Sequence, residues 1–213
     1  PEATLAANPE LKTWEDVIAR PALFPNPENP ERGALIGCPA GWACQYINQN
    51  LYRAYDMEAK GWDLIDPGSS AGLDALISKA VNDGTNLVTY YWAPTAILGK
   101  LPMYMLEPNA THDSDEWASC TAVADCADPK PNAWGFSAVE TVVTDNFSEE
   151  ASVAMDYIST RDFDNATMNS LLAWMAENQA TGEEGAIYYL ENNEDNWSAW
   201  VSEAVKDRVL EAL

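Results

Sequence analysis

The chain has 213 residues, of which 47% are hydrophobic, so it can bury a sizeable core in one large or two small domains. Its 34 acidic and 11 basic residues give a net charge of −23, and the lack of basic surface argues against a nucleic-acid partner. No apolar run reaches the roughly 18 residues of a membrane helix.

Residues 1–32 are rich in proline and asparagine, and we expect them to form a connector. Within them, Thr13 predicts a capped helix over 13–19.

A regular pattern begins after this segment and alternates between strand and helix. Apolar runs predict strands and longer amphipathic segments predict helices, in the order strand 34–37, helix 43–55, strand 62–66, helix 73–82 and strand 87–92. The second helix is expected to stop at Asp83-Gly84. Such alternation predicts an α/β domain over 33–106, with a mostly parallel sheet and crossover helices.

The remainder of the chain is predicted to change character twice. An edge strand at 103–107 and a polar loop are followed by a strand over 134–144, so 107–144 is expected to be a loop with a crossing strand. Residues 145–213 are predicted to be helical, with apolar residues at helical spacing.

The four cysteines form two pairs of identical spacing, Cys38 with Cys44 and Cys120 with Cys126. Two local disulfides are the simplest interpretation and would place the protein in an oxidising compartment. Free thiols and a zinc site are the alternatives. Zinc ligand pairs usually lie closer together, and the one histidine, His112, stands apart from the cysteines. The acidic cluster Asp113, Asp115 and Glu116 lacks the ligand spacing of known calcium loops.

Four segments together carry a family resemblance: GCPAGWACQ at 37–45, DPGSSAGLDALISKA at 66–80, YYWAPTAILGK at 90–100 and CADPKP at 126–131. In this order and spacing they resemble the substrate-binding proteins of ABC importers for glycine betaine and related quaternary amines. The resemblance implies a lobe of a type II periplasmic binding protein, followed by C-terminal helices of an incomplete first lobe. It also implies a periplasmic location, an ABC permease as partner, and neither a cofactor nor catalysis.

The resemblance further assigns site residues. Trp42 and Trp92 match tryptophans of the family's aromatic cage, and the N–H groups of Ala43 and Cys44 match those that receive the ligand carboxylate. A quaternary ammonium group cannot donate a hydrogen bond, so its recognition depends on π faces, of which indole is the best. The carboxylate role agrees with the sequence, because both N–H groups fall at the start of a predicted helix. Trp134 is a further candidate near the cleft.

Other interpretations stay open at this point. Each tryptophan could instead fill the core, and Trp134 could serve packing or a lobe crossing. Ser69 and Ser70 are more typical of helix caps than of ligand contacts. Family members are usually longer, so we expect a missing N-terminal segment or a second chain to complete the site, or else a reduced site in this protein. The alternative function is an extracellular carbohydrate-binding or glycoside-processing protein whose exposed tryptophans stack on sugars.

Overall fold

The computed structural model describes residues 1–213 and contains four strands, twelve α-helices and three further short helical segments. The strands are β1 Pro25–Asn26, β2 Asn29–Ile36, β3 Trp62–Ile65 and β4 Val88–Thr89. The helices are α1 Glu2–Ala7, α2 Trp14–Ile18, α3 Ala43–Ala54, α4 Ser70–Asp83, α5 Ala96–Lys100, α6 Ser114–Glu116, α7 Asp145–Glu150, α8 Ser152–Thr160, α9 Asn165–Asn178, α10 Gly182–Asn192, α11 Glu194–Trp197 and α12 Glu203–Leu210. None of these helices has the length and apolar character that a membrane span requires.

The chain divides into two compact units. The first unit comprises residues Pro1–Trp92 and Leu101–Phe136, and it contains all four strands. The second unit comprises Ala93–Lys100 and Ser137–Leu213, and all of its regular secondary structure is helical.

The sheet of the first unit is built around β2. One edge of β2 pairs with β3 in parallel, from Gly33 opposite Trp62 to Ile36 opposite Ile65. Along the other edge β1 pairs antiparallel with the first half of β2, and β4 pairs in parallel at Leu35 and Ile36. The helices α3 and α4 connect the parallel strands, as predicted from the alternating pattern.

The core of the first unit centres on Trp62, which is fully buried. Its indole N–H donates to the carbonyl oxygen of Ile18 at 2.8 Å, and its ring packs on Phe24. Gly33 is required beside it, because a Cβ there would lie 2.8 Å from the Trp62 ring. The core thus includes residues from 1–32, namely Leu11, Val17, Ile18 and Phe24.

The second unit has its own aromatic core of Tyr189, Trp197 and Trp200. The Trp197 indole N–H donates to the carbonyl oxygen of Leu190 at 2.7 Å. The helix α5 packs closely on α9, where a Cβ at Gly99 would meet the backbone oxygen of Asn169. This unit is helical from Asp145 onward, in agreement with the sequence pattern.

Three expectations need correction. Instead of an irregular connector, residues 1–32 supply two helices, β1 and the start of β2; Pro30 is tolerated there because this part of β2 pairs only with β1. No strand forms over 134–144, where Phe136, Val139 and Val142 are all more than 90% exposed. Residues with high strand propensity form a strand only against a partner, and none pairs here. The edge strand at 103–107 reduces to one bridge between Thr13 and Glu107.

Candidate functional site: two aromatic corners on the first unit

The turn between β2 and α3 presents Trp42 at the start of a helix. Cys38 and Cys44 are joined by a disulfide, with Cα atoms 5.7 Å apart, and Gly41 adopts a positive φ of 86° that favours glycine. The Gly41 N–H donates to the side-chain oxygen of Gln45 at 3.0 Å. Trp42 is the N-cap residue of α3, and its side chain is 38% exposed. The turn therefore holds an indole at the surface, directly before the helix.

The start of α3 keeps two donors free. The Trp42 side chain makes no capping hydrogen bond, and the N–H groups of Ala43 and Cys44 have no acceptor within the chain. The Gln45 N–H turns back to the carbonyl oxygen of Trp42. With 12 residues, α3 is long enough for its dipole to favour an anion at this end.

Trp92 reaches the same place from β4. Tyr90 continues the β4 path, because its N–H donates to the carbonyl oxygen of Ile36 at 2.9 Å. Two residues later, the Trp92 ring lies with its centroid 5.3 Å from that of Trp42, and the two rings are inclined at 61°. We call this pair the first aromatic corner. The structure thus brings together the two tryptophans that the sequence singled out.

Trp92 is supported from behind by Tyr91. The two rings stack in parallel at 4.6 Å, and the Tyr91 hydroxyl donates to the carboxylate of Asp74 on α4. The Trp92 side chain remains 36% exposed. One indole of the first corner is therefore backed by a stacked ring while its own surface stays accessible.

Trp134 belongs to a second pair of rings. Its centroid lies 5.0 Å from that of Trp117, with the rings inclined at 65°, and 44% of its side chain is exposed. We call Trp117 and Trp134 the second aromatic corner. The Tyr90 ring connects the corners, with its centroid 6.2 Å from Trp92 and 5.2 Å from Trp134. Burial raises the pKa of the Tyr90 hydroxyl, so the connecting ring is even less prone to ionise than a free tyrosine.

Trp117 and the ring of His112, 5.3 Å away, escaped the sequence-based reasoning. They lie within or beside the acidic cluster Asp113, Asp115 and Glu116, in the segment that the sequence predicts to be a polar loop. The one local signal was an aromatic residue between that stretch and a cysteine pair.

The second disulfide, Cys120–Cys126, lies in a loop that is fastened to α3. The buried Asn50 amide of α3 donates to the carbonyl oxygens of Cys120, Thr121 and Val123, at 3.1, 3.0 and 2.8 Å. Arg53, one turn later, donates to the carbonyl oxygen of Cys126. Both disulfides that the cysteine spacing predicted are present. In the second loop, these four carbonyl groups already accept hydrogen bonds from α3.

One cleft on the first unit is not part of either corner. It has a volume of about 390 Å³ and is lined by charged residues that include Arg53, Asp128 and Lys130. The Lys130 ammonium pairs with Asp128, and no aromatic ring lines the cleft. The structure also holds no group of three or more His, Cys, Asp or Glu side chains suited to a metal ion. The aromatic corners are therefore the better candidate site for a methylated ligand.

The sequence matches a family model over residues 1–192, that of the substrate-binding domain of ABC-type glycine betaine transport systems (OpuAC). The chain belongs to this family. Its fold is also similar to that of solved structures. One is an ABC-transporter choline-binding protein in an unliganded, semi-closed conformation, with a TM-score of 0.51 and 17% identity over 92% of this chain. A second is lactococcal OpuAC with glycine betaine, with a TM-score of 0.48 and 15% identity over 79% of the chain.

The chain spans 60% and 57% of the lengths of these two structures. At this level of identity, the first similarity concerns the fold, which is the α/β fold of type II periplasmic binding proteins. The expected fold class is thereby confirmed.

Proposed function

We propose that the chain is the ligand-binding part of an ABC importer for a methylated amine that carries a carboxylate, such as glycine betaine. It binds the ligand outside the cytoplasmic membrane and hands it to a membrane permease. No bond is made or broken. Family membership supports this role, and the two disulfides support an oxidising, extracytoplasmic location.

The observation that carries the proposal is the first aromatic corner beside the free donors of α3. Two indole faces inclined at 61° form adjacent walls for a trimethylammonium group, and each is partly exposed. The N–H groups of Ala43 and Cys44 follow Trp42 directly, so a short zwitterion can place its carboxylate on them. The cationic and anionic ends of the ligand are then bound by neighbouring residues of the same disulfide turn.

The energies are sufficient for specific binding. A desolvated cation–π contact contributes about 2 kcal/mol, which is roughly a thirtyfold change in Kd. A hydrogen bond to a charged group contributes about 1.5–3 kcal/mol. The inclination of the two indoles also differs from the coplanar row that stacks along a sugar chain, which disfavours the carbohydrate alternative.

The decisive experiment is a calorimetric titration of the chain with glycine betaine, choline, trimethylamine oxide and a neutral sugar. We expect heat with the methylated amines, tightest binding for glycine betaine and no response to the sugar. Trp42→Ala should weaken glycine betaine binding about thirtyfold, since one cation–π wall is lost. Tyr104→Ala is the matched control, because Tyr104 is an exposed aromatic of the same unit with no ring contact, and it should bind normally.

Several results would contradict the proposal. If folded protein gives no heat of binding with any of the methylated amines, the proposal is wrong. Heat with the sugar alone would transfer support to the carbohydrate alternative. If Trp42→Ala unfolds the first unit, Trp42 serves packing, and Trp92→Ala then tests the corner from its other wall.

A further inference from the structure

The second aromatic corner has the same shape as the first. Trp117 and Trp134 meet at 5.0 Å and 65°, compared with 5.3 Å and 61° for Trp42 and Trp92. Trp134 is exposed, so its indole face is available to a ligand. Geometry of this kind suits a methylated cation as well as the first corner does.

The corner is held in place by buried polar contacts. Asn132 is 1% exposed and makes four hydrogen bonds with its side chain. Its oxygen accepts from the N–H groups of Asp113 and Ala133, both at 2.9 Å, and its amide donates to the Asp113 carbonyl and the Thr121 hydroxyl. Because these contacts fix the chain on both sides of Trp117 and directly before Trp134, they preorganise the corner.

The surroundings of the second corner differ from those of the first in charge. Asp113, Asp115 and Glu116 lie within four residues of Trp117. The only nearby helix start, that of the three-residue α6, is already capped: the Asp113 carboxylate accepts the N–H groups of Asp115 and Glu116. The Lys130 ammonium is paired with Asp128. Acidic residues therefore adjoin the corner along the chain, and the N–H groups of Asp115 and Glu116 at the helix start beside it are already occupied.

We propose that Trp117 and Trp134 form a second site, which binds methylated ammonium cations that lack a carboxylate, such as choline or tetramethylammonium. This site goes beyond the proposed function, since it uses other residues and selects another ligand class. The net charge of −23 favours such a cation, whereas it has little effect on a zwitterion.

Tetramethylammonium is the test probe, and the chain with Trp42→Ala is the background, because this variant removes the first corner. Binding is followed by the broadening of the tetramethylammonium methyl signal in proton NMR. We expect binding in the Trp42→Ala chain and at least a tenfold weakening when Trp134→Ala is added. Phe136→Ala is the matched control: Phe136 lies two residues away, is 94% exposed and contacts no other ring, so its removal should have no effect.

Unchanged broadening after Trp134→Ala would overturn the proposal, and so would an equal loss with Phe136→Ala, which indicates general surface adsorption. If Trp134→Ala disturbs the near-ultraviolet circular dichroism, which would indicate altered packing, the Trp134→Phe variant is tested in its place. Retained binding with this ring supports the site, and loss in a folded Phe variant overturns it. None of these outcomes depends on glycine betaine, so the two proposals succeed or fail separately.

Discussion

The two disulfide turns of the first unit have cysteines six residues apart in both cases, and each turn lies beside an aromatic corner, yet their backbones are used differently. The Cys38–Cys44 turn opens into α3 and leaves two N–H donors free. The Cys120–Cys126 loop closes against α3, where Asn50 and Arg53 occupy its carbonyl oxygens. The size of the disulfide loop therefore does not determine which of its backbone groups can bind a ligand. That depends on the side chains that hydrogen-bond to the loop.

One helix supports both turns. Trp42 lies at the N-terminus of α3, and Asn50 lies two turns further along the same helix. The first corner is therefore built from the end of α3 and the second from a loop bonded to its side. The comparison predicts that the two corners can be disabled independently.

The largest expected effect comes from Asn132→Ala, which should lower the free energy of unfolding by about 3 kcal/mol. Four hydrogen bonds disappear and buried partners are left unpaired, at about 1–3 kcal/mol for such groups. Urea unfolding followed by tryptophan fluorescence measures the loss. Asn192→Ala removes a single exposed hydrogen bond and should change stability by less than about 0.5 kcal/mol.

The same variant tests the independence of the corners. Folded Asn132→Ala protein should lose tetramethylammonium binding at the second corner and retain glycine betaine binding at the first. A parallel loss of both would show that the two corners form one site.

Removal of each disulfide should have a smaller effect. Replacement of either cysteine pair by serine is expected to cost about 2 kcal/mol of stability, because the chain-entropy model gives equal terms for loops of equal size. The binding results should differ. Loss of Cys38–Cys44 should weaken glycine betaine binding, since the turn has few other constraints, whereas loss of Cys120–Cys126 should leave it unchanged. Equal binding losses would contradict the comparison.

The sequence predicted the first corner better than the second for a physical reason. The regular pattern gave β2, α3, β3, α4 and β4, and the αL residue Gly84 ends α4 as expected. Neighbouring parallel strands end at the same sheet edge, so Trp42 and Trp92, which follow β2 and β4, had to come close. The resemblance assigned the two tryptophans to one cage, and local signals with one topological rule explain why they meet.

The second corner could not be inferred in this way. Trp134 contacts the rings of both Tyr90 and Trp117. Its contact with Trp117 depends on the side-chain hydrogen bonds of Asn50 and Asn132. Asparagine bonds to a distant backbone leave no periodicity in the sequence. The strand predicted over 134–144 shows the opposite error, because its apolar and β-branched residues favour a strand but no partner strand pairs with them.

The sharpest test of the free donors is Ala43→Pro, which deletes one N–H group and little else. Ala43 is the first residue of α3, where proline is favoured, and Trp42 before it has the extended backbone, φ −93° and ψ 148°, that a following proline requires. If the Ala43 N–H receives the ligand carboxylate, glycine betaine binding should weaken about tenfold, which corresponds to about 1.4 kcal/mol.

Tetramethylammonium, which has no carboxylate, is the internal control: with Trp134→Ala also present to disable the second corner, it can bind only at the first corner and should bind to the Ala43→Pro chain as before. Calorimetry with both ligands on the same protein separates the loss of a donor from a general disturbance of the turn. An equal loss for both ligands would mean that the substitution displaces Trp42. Unchanged glycine betaine binding would instead show that the Ala43 N–H is not part of the site. The first turn would then serve only to position the Trp42 indole, and free N–H donors would no longer distinguish the two disulfide turns.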